Sequence, residues 1–436
     1  MCIRDRLEYL ERSEKQKAID KQTLADEQRA AGNTSPKHAG VGFGGRGLRG
    51  DHPAEWWTSD EALKDAHNIV TWQVADGGWS KNIDMVSRPR APGDLYDANN
   101  ENRFPDLADF DKPVDPSWHY IATLDNDSTW MQIRFLARVA TALVAAHRDA
   151  DAAPICASVE RGVEYLLDSQ YPNGGWPQVW PLEGGYHDAI TINDDAMTHA
   201  VEILHDVAEG AADLKFLPAA MVKRAGPAAQ RGIDCLLKLQ ITENGVKTAW
   251  AQQYDALTLE PTSARNYEMG ALTSDESFPV VEFFMRLPNP TPAEVAAVHA
   301  ACVWFVKVEI FGFRYGSGNF MADRQKMCIR DRPHFQPGQR AADRLHGPGV
   351  VKIPGSDLEL LATHFGQHGR SRLWRKGRTG REALWLRPAR AGARSRTDSR
   401  ADVYRAGNRG PGYLSRDRST ESQSPSRPRG RGALWH

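Results

Sequence analysis

Cysteine is scarce in this chain, with five in 436 residues. Cys2, Cys156, Cys235, Cys302 and Cys328 form no CxxC pair and are too scattered for a disulfide framework, so neither a stapled mini-fold nor a cysteine metal knuckle is expected. Long apolar runs are missing too: no stretch of 18 apolar residues occurs, which excludes a helix spanning a bilayer. The opening residues MCIRDRLEYLERSEKQKAID lack the apolar segment of a secretory signal. Net charge is nearly absent, at −1 from 55 basic and 56 acidic side chains.

That balance conceals a division. Residues 1–326 hold 32 Lys/Arg against 47 Asp/Glu, a net of −15, whereas residues 327–436 hold 23 against 9, a net of +14. The hexamer MCIRDR stands at Met1–Arg6 and again at Met327–Arg332. A structural repeat would extend further, and the hexamer looks like an adaptor remnant from assembled environmental reads. After the second copy, residues 333–436 are dominated by Arg, Gly, Ser and Pro without a sustained period. Arg-rich tails do bind phosphate backbones, but a GC-rich gene read out of frame yields the same composition, and the hexamer at the boundary favours that reading. No nucleic-acid partner is therefore expected. The expected organisation is an artefact at 1–6, a helical or loop segment at 7–55, a catalytic domain at 56–326 that is incomplete at its C-terminal side, the repeated hexamer at 327–332, and an out-of-frame or disordered basic tail at 333–436.

Within 56–326 the dominant signal is helical. Ile133, Leu136, Ala137, Ala140, Leu143 and Val144 recur at helical spacing across 128–147, with Asp127 and Ser128 as cap candidates. Similar stretches cover about 60–73, 157–170, 195–208, 220–240, 276–287 and 292–311. The last has a start signal in Thr291, Pro292 and Glu294, and its stripe of Val295, Val298, Cys302 and Phe305 makes Cys302 packing material. No series of alternating strands appears, so an all-α architecture is expected. Two helices end in related strings, Gln73-Val-Ala-Asp-Gly-Gly-Trp79 and Gln170-Tyr-Pro-Asn-Gly-Gly-Trp176, and Gln240 to Trp250 is a weaker third version. A glycine pair lets the chain leave the helix through positive φ, and the Trp then folds back over the helix end. Three such returns imply an α/α toroid of helical hairpins with long polar loops forming a cleft.

Three loop constellations carry chemistry. Asp125-Asn126-Asp127-Ser128 precedes one helix, and Asn193-Asp194-Asp195 precedes another. One side chain in each could be an N-cap, but adjacent carboxylates repel unless a cation or donor offsets them. Hard oxygens from two loops are what Ca²⁺ accepts. The third is Ala264-Arg265-Asn266-Tyr267-Glu268, where Arg265 is either a solvated charge or a fork that binds a carboxylate. The loop tryptophans Trp56, Trp57, Trp79, Trp118, Trp130, Trp176, Trp180 and Trp250 suit sugar stacking and ordinary packing alike.

Several of these strings, taken in order, resemble the pectate lyases of polysaccharide lyase family ten: Gly77-Gly-Trp-Ser-Lys-Asn-Ile-Asp-Met85, Leu124-Asp-Asn126, Gln132-Ile-Arg-Phe-Leu-Ala-Arg-Val139, Tyr171-Pro-Asn-Gly-Gly-Trp-Pro-Gln178, Ile192-Asn-Asp-Asp-Ala-Met197 and Ala264-Arg-Asn-Tyr-Glu268. The resemblance covers residues 56–326. It implies a toroid of α/α hairpins that cleaves polygalacturonate by calcium-assisted anti-β-elimination at the uronate C5. By that resemblance Asp125 and Asp194 hold Ca²⁺, Asn126, Lys81, Trp176 and Tyr267 contact the sugar, and Arg265 is the proton-abstracting base or a carboxylate clamp. It also implies a monomer, no membrane partner, and a secreted or periplasmic location in spite of the absent signal. The family's further cationic positions, in a Trp-Ala-Arg-Phe-like string and a Gly-Arg-Asp-Gly-like loop, do not follow Lys326, so the chain as written is expected to lack part of its site. Two other readings stay open: a metal-independent toroid glycoside hydrolase with Asp194 or Asp195 as general acid or base, and a non-catalytic polysaccharide-binding fragment. A terpene cyclase shares the Gln-to-Trp returns and the Asp pair, but needs an apolar aromatic cavity where this chain has polar loops.

Overall fold

Helical hairpins and their tryptophan returns organise the computed structural model, which describes residues 3–32, 36–48, 50–97, 115, 118–265 and 268–308. The chain divides into Met1–Leu386 and Arg387–His436, and every described residue belongs to the first unit. Eight helices are described: α1 (Ile3–Ala30), α2 (Asp60–Thr71), α3 (Trp130–Ala145), α4 (Asp149–Ser169), α5 (Ala196–Ala208), α6 (Ala219–Leu239), α7 (Ser274–Arg286) and α8 (Pro292–Val308). None is long and apolar enough to cross a membrane.

The fold is an α/α toroid arc. Helices α3–α4, α5–α6 and α7–α8 pack as hairpins, with α3, α5 and α7 touching in one row and α4, α6 and α8 in a second. Inner α5 is buried on most of its surface through Ala196, Met197, Thr198, Ala200, Val201, Ile203, Leu204 and Val207. Outer α6 buries one stripe, including Ala225, Ala229, Gly232, Ile233, Leu236 and Leu239, and exposes the rest.

The returns between the rows repeat closely. Trp79, Trp176 and Trp250 are fully buried, and their indole N–H groups donate to the carbonyls of Ile69, Leu166 and Leu236 at the end of the preceding helix. Gln73 Nε2 donates to the carbonyls of Gly77 and Ser158, Gln170 to those of Gly174 and Ala228, and Gln240 to those of Thr248 and Ala297. Arg161 and Arg231 donate to the Oε1 of Gln73 and Gln170. The third copy has Ala300 at the matching offset on α8, and Gln240 Oε1 is buried without a partner. Gly77 and Gly174 adopt φ of 100° and 96°, and a Cβ on Gly174 would sit 2.1 Å from the Arg231 carbonyl.

Three expectations are corrected in detail. Helix α4 begins at Asp149, eight residues before the expected start. Pro154 looks like a breaker, yet it forfeits only a bond to the carbonyl of the exposed Ala150, which water can take. Neither Asp127 nor Ser128 caps α3; Thr129 is the cap residue, without a side-chain cap bond, and its hydroxyl donates to the Thr123 carbonyl. Six two-residue strands also exist: β1 (Ile190–Thr191), β2 (Thr242–Glu243), β3 (Val246–Lys247), β4 (Trp250–Ala251), β5 (Gln253–Tyr254) and β6 (Leu272–Thr273). They pair antiparallel as β1–β5, β2–β3 and β4–β6, and being loop fastenings rather than a sheet core they leave the class all-α. The Thr291 capping box forms as expected, with the Thr291 N–H on Glu294 Oε2 and the Glu294 N–H on Thr291 Oγ1. Cys302 is buried within the core.

Helix α1 lies outside the hairpin series. Its buried Tyr9, Ser13, Asp20 and Leu24 fall at i, i+4, i+11 and i+15, a single stripe. Tyr9 donates to the Ser169 carbonyl and its ring packs against Tyr171 at 4.5 Å with a 39° tilt, while Ser13 Oγ accepts from the Leu182 N–H.

Candidate active site

Backbone hydrogen bonds lace the loops at one end of the hairpins. Thr123 N–H donates to the Trp79 carbonyl, Leu124 N–H to that of Gln178, Thr191 N–H to that of Trp176, and Ile192 N–H to that of Gln252. Thr123 bridges Val179, Pro177 bridges Ile190, and Tyr254 bridges Pro261. This array connects the segments carrying Lys81, Asp125, Asp194 and Arg265.

Two 3-10 turns on the array, Asp125–Asp127 and Asn193–Asp195, pack against each other. Each holds two successive left-handed residues: Asn126 and Asp127 at φ 53° and 61°, Asp194 and Asp195 at 51° and 61°. Among the described residues, eight of eleven non-glycine residues with positive φ lie in the segments around Asn82, Tyr120–Thr129 and Asp194–Asp195. Such conformations cost free energy and persist where the surroundings impose them, which makes this end the candidate functional one.

The turns bring Asp125 and Asp194 within hydrogen-bonding reach of each other. Asp125 is buried, and Lys81 Nζ lies 2.5 Å from its Oδ2 with the ammonium 3.2 Å from the Tyr120 ring centroid. Burial by itself would raise the Asp125 carboxyl, but the Lys81 charge and the hydrogen bonds from Asp194 and Lys81 outweigh it and hold the group below the ordinary carboxylate range. Asn126 Nδ2 donates to Asn82 Oδ1 at 3.3 Å, tying its turn to the segment after Trp79. Asp195 turns toward His199, with Oδ2 3.7 Å from Nε2.

Glu276, which the sequence marks only as part of a helix start, is the third carboxyl here. Burial first, then the charges of Asp195, Asp194 and Asp275, push it up to about 8, although it accepts a hydrogen bond from the Asp194 backbone. Asp125 and Asp194 meet each other, Asp125 paired with the Lys81 ammonium, and Glu276 stands on the Asp194 side; the three do not converge as a triad of ligand oxygens. The chemistry of two carboxylates meeting from separate turns suits a hard divalent ion, whose remaining oxygens would come from substrate and water.

Arg265 extends from the loop beyond β5. Its Nε donates to Glu268 Oε2 at 2.9 Å, and a second bond from its other arm to Oε1 completes a two-pronged pair. Its side chain keeps 35% exposure, so an anion can approach it from solvent.

The expected sugar contacts divide. Asn126 and Lys81 stand at the carboxylate turns, Lys81 as the partner of Asp125. Trp176 is a correction: it is fully buried against α4 and offers no face to a sugar, because the return demands an indole folded back on the helix end. Tyr267 lies outside the described residues. Sequence reasoning also passes over His119, Tyr120, Glu183 and His187, a hydrogen-bonded group beside Lys81. Their only signal is their position five to ten residues ahead of the two turns. Two depressions, of about 350 Å³ beside Asp60 and His67 and about 490 Å³ between α1 and Gln170–Pro172, include none of the candidate residues.

A family model described as pectic acid lyase matches residues 73–334. A solved family 10 polysaccharide lyase from Cellvibrio cellulosa is 29% identical, covering 59% of this chain and 72% of its own, with a TM-score of 0.46. An aspartate-to-alanine mutant of that lyase in complex with trigalacturonic acid gives 29% identity, 58% and 71% coverage, and a TM-score of 0.46. No curated protein matches the chain.

Proposed function

We propose a calcium-assisted elimination mechanism for this chain, which belongs to the pectic acid lyase family and is a polysaccharide lyase acting on pectate. The proposal covers the metal, the residues that hold it and the residue that acts at C5. The observation that carries it is the meeting of Asp125 and Asp194 from two strained turns, with Glu276 beside them.

The reaction removes the proton at C5 of a uronate and expels the glycosidic oxygen from C4. That proton is a poor acid, and an ionised carboxylate on C5 disfavours further negative charge. Asp125 and Asp194 would hold Ca²⁺, which would supply neutralisation of the uronate carboxylate. Lys81 keeps Asp125 ionised, and Asn126 offers its amide to the sugar or the metal shell.

Arg265 then admits two uses. Arginine is protonated under ordinary conditions, and its fork on Glu268 presents a cation fixed by a carboxylate. That arrangement favours a clamp on the substrate carboxylate; the base role requires Glu268 to release the guanidinium at alkaline pH. Pectate is a polymer found outside cells, which supports a secreted or periplasmic site of action.

The test measures polygalacturonate cleavage by the ultraviolet absorbance of the C4–C5 unsaturated product, with and without EGTA. Calcium-restored activity is expected. Chelator-insensitive activity, or reducing ends without the unsaturated product, would overturn the mechanism, the latter in favour of hydrolysis.

A further inference from the structure

We infer that His119, Glu183 and His187 form a second metal site, selective for Zn²⁺ or a similar borderline transition ion, that ties together the two segments leading into the carboxylate turns. One donor atom from each of the three side chains lies within 4.8 Å of the others. His119 Nδ1 is 2.6 Å from Glu183 Oε1, and His187 Nδ1 is 3.7 Å from Glu183 Oε2. Glu183 is 6% exposed, and its Oε2 is buried with no hydrogen-bond partner. A buried carboxylate oxygen without a donor is costly, and a cation beside it removes that cost.

The donor chemistry selects the ion. Two imidazoles and one carboxylate suit zinc and its neighbours, which take three protein ligands and leave a fourth position, whereas Ca²⁺ wants six to eight oxygens. Metal-bound imidazoles generally donate their other N–H to an oriented acceptor. His187 Nε2 has that acceptor in the Tyr120 hydroxyl at 2.8 Å, which in turn meets Tyr186 Oη at 2.9 Å. The alternative tautomer places the proton on Nδ1 toward the Gly184 carbonyl at 3.3 Å, and metal binding selects against it.

The position explains the use. His119 stands six residues before Asp125, and His187 seven before Asp194. An ion held between them fixes both approaches, and Tyr120 carries the effect to the Lys81 ammonium stacked on its ring. This site stands independently of the calcium reading, since it shares no ligand with it.

The full chain, stripped of metal, is titrated with Co²⁺ and followed by visible absorption, then by Zn²⁺ competition. One saturable site with four-coordinate bands, displaced by Zn²⁺, is expected. His119→Gln and His187→Gln should each weaken it by roughly 10–100-fold or more, Tyr120→Phe by roughly tenfold, and Asp194→Ala should leave it intact. Absence of a saturable site in the unsubstituted chain overturns the inference whether or not the variants fold. Equal affinity in folded His119→Gln and His187→Gln chains overturns it in favour of other histidines, and loss in Asp194→Ala assigns the ion to the oxygen site instead.

Discussion

Lys81 Nζ stands 2.5 Å from Asp125 Oδ2 with both side chains almost wholly buried, at 12% and 5% exposure. The pair joins the segment after the first tryptophan return to the first carboxylate turn. Lys81→Met removes the ammonium and leaves Asp125 ionised in a dry environment. Breaking such a pair costs roughly 3–5 kcal/mol. Chemical denaturation of the metal-free chain should show a loss of that order, largely recovered in the Lys81→Met, Asp125→Asn double variant; no recovery would mean that packing, not charge, dominates.

Asp194→Ala should abolish the stabilisation that Ca²⁺ confers. In the unsubstituted chain, raising free Ca²⁺ to about 100 times its dissociation constant stabilises the fold by about 2.7 kcal/mol. Differential scanning calorimetry with and without Ca²⁺ reads this directly, and an undiminished Ca²⁺ shift in the variant would remove Asp194 from the ligand set.

Arg265→Ala should abolish turnover while changing stability by less than about 1 kcal/mol, because its pair with Glu268 is a local i,i+3 contact with the arginine 35% exposed. Arg265→Lys separates the two roles. A clamp tolerates a point charge with weakened KM, whereas a lost kcat across the pH range indicates a group acting at C5.

Asp20 on α1 and Asp76 in the first return form a buried carboxyl pair. Burial raises Asp20 to about 6, and burial with the Asp20 charge raises Asp76. Both hold their proton more tightly in the folded chain than in the unfolded one. Their contribution is therefore fully present below the ordinary carboxylate range and is lost as pH rises through about 6 and above. Hydrogen exchange in α1, corrected for its intrinsic pH dependence, should accelerate on raising the pH. Asp76→Asn should flatten that response.

Ala300→Arg should stabilise the third hairpin by about 1 kcal/mol. It supplies Gln240 Oε1 with the donor that Arg161 and Arg231 give to Gln73 and Gln170. Thermal unfolding measures the gain; an unchanged midpoint would show that water already serves that oxygen.

Local pattern and tertiary arrangement contributed differently. Helices α2, α3, α5, α6, α7 and α8 were readable from apolar spacing and cap residues, because an amphipathic stripe and a capping box are properties of neighbouring residues. The tryptophan returns were readable because glycine pairs and indoles recur at fixed offsets from a helix end. Helix α1 was legible only as a helical or loop segment at 7–55, since its stripe of Tyr9, Ser13, Asp20 and Leu24 mixes polar with apolar side chains.

By itself, then, the sequence determined the helical hairpins, the order of the motifs and the family to which residues 73–334 belong. Tertiary structure decided which groups meet. Asp125 and Asp194 are 69 positions apart and touch because cross-strand hydrogen bonds lay their loops side by side; Trp176 is withdrawn from any sugar because the same lacing needs it as a wedge. The histidine pair and Glu183 converge for that reason too. Each lies in a loop whose direction is set by partners distant in sequence, and no local spacing encodes such a meeting.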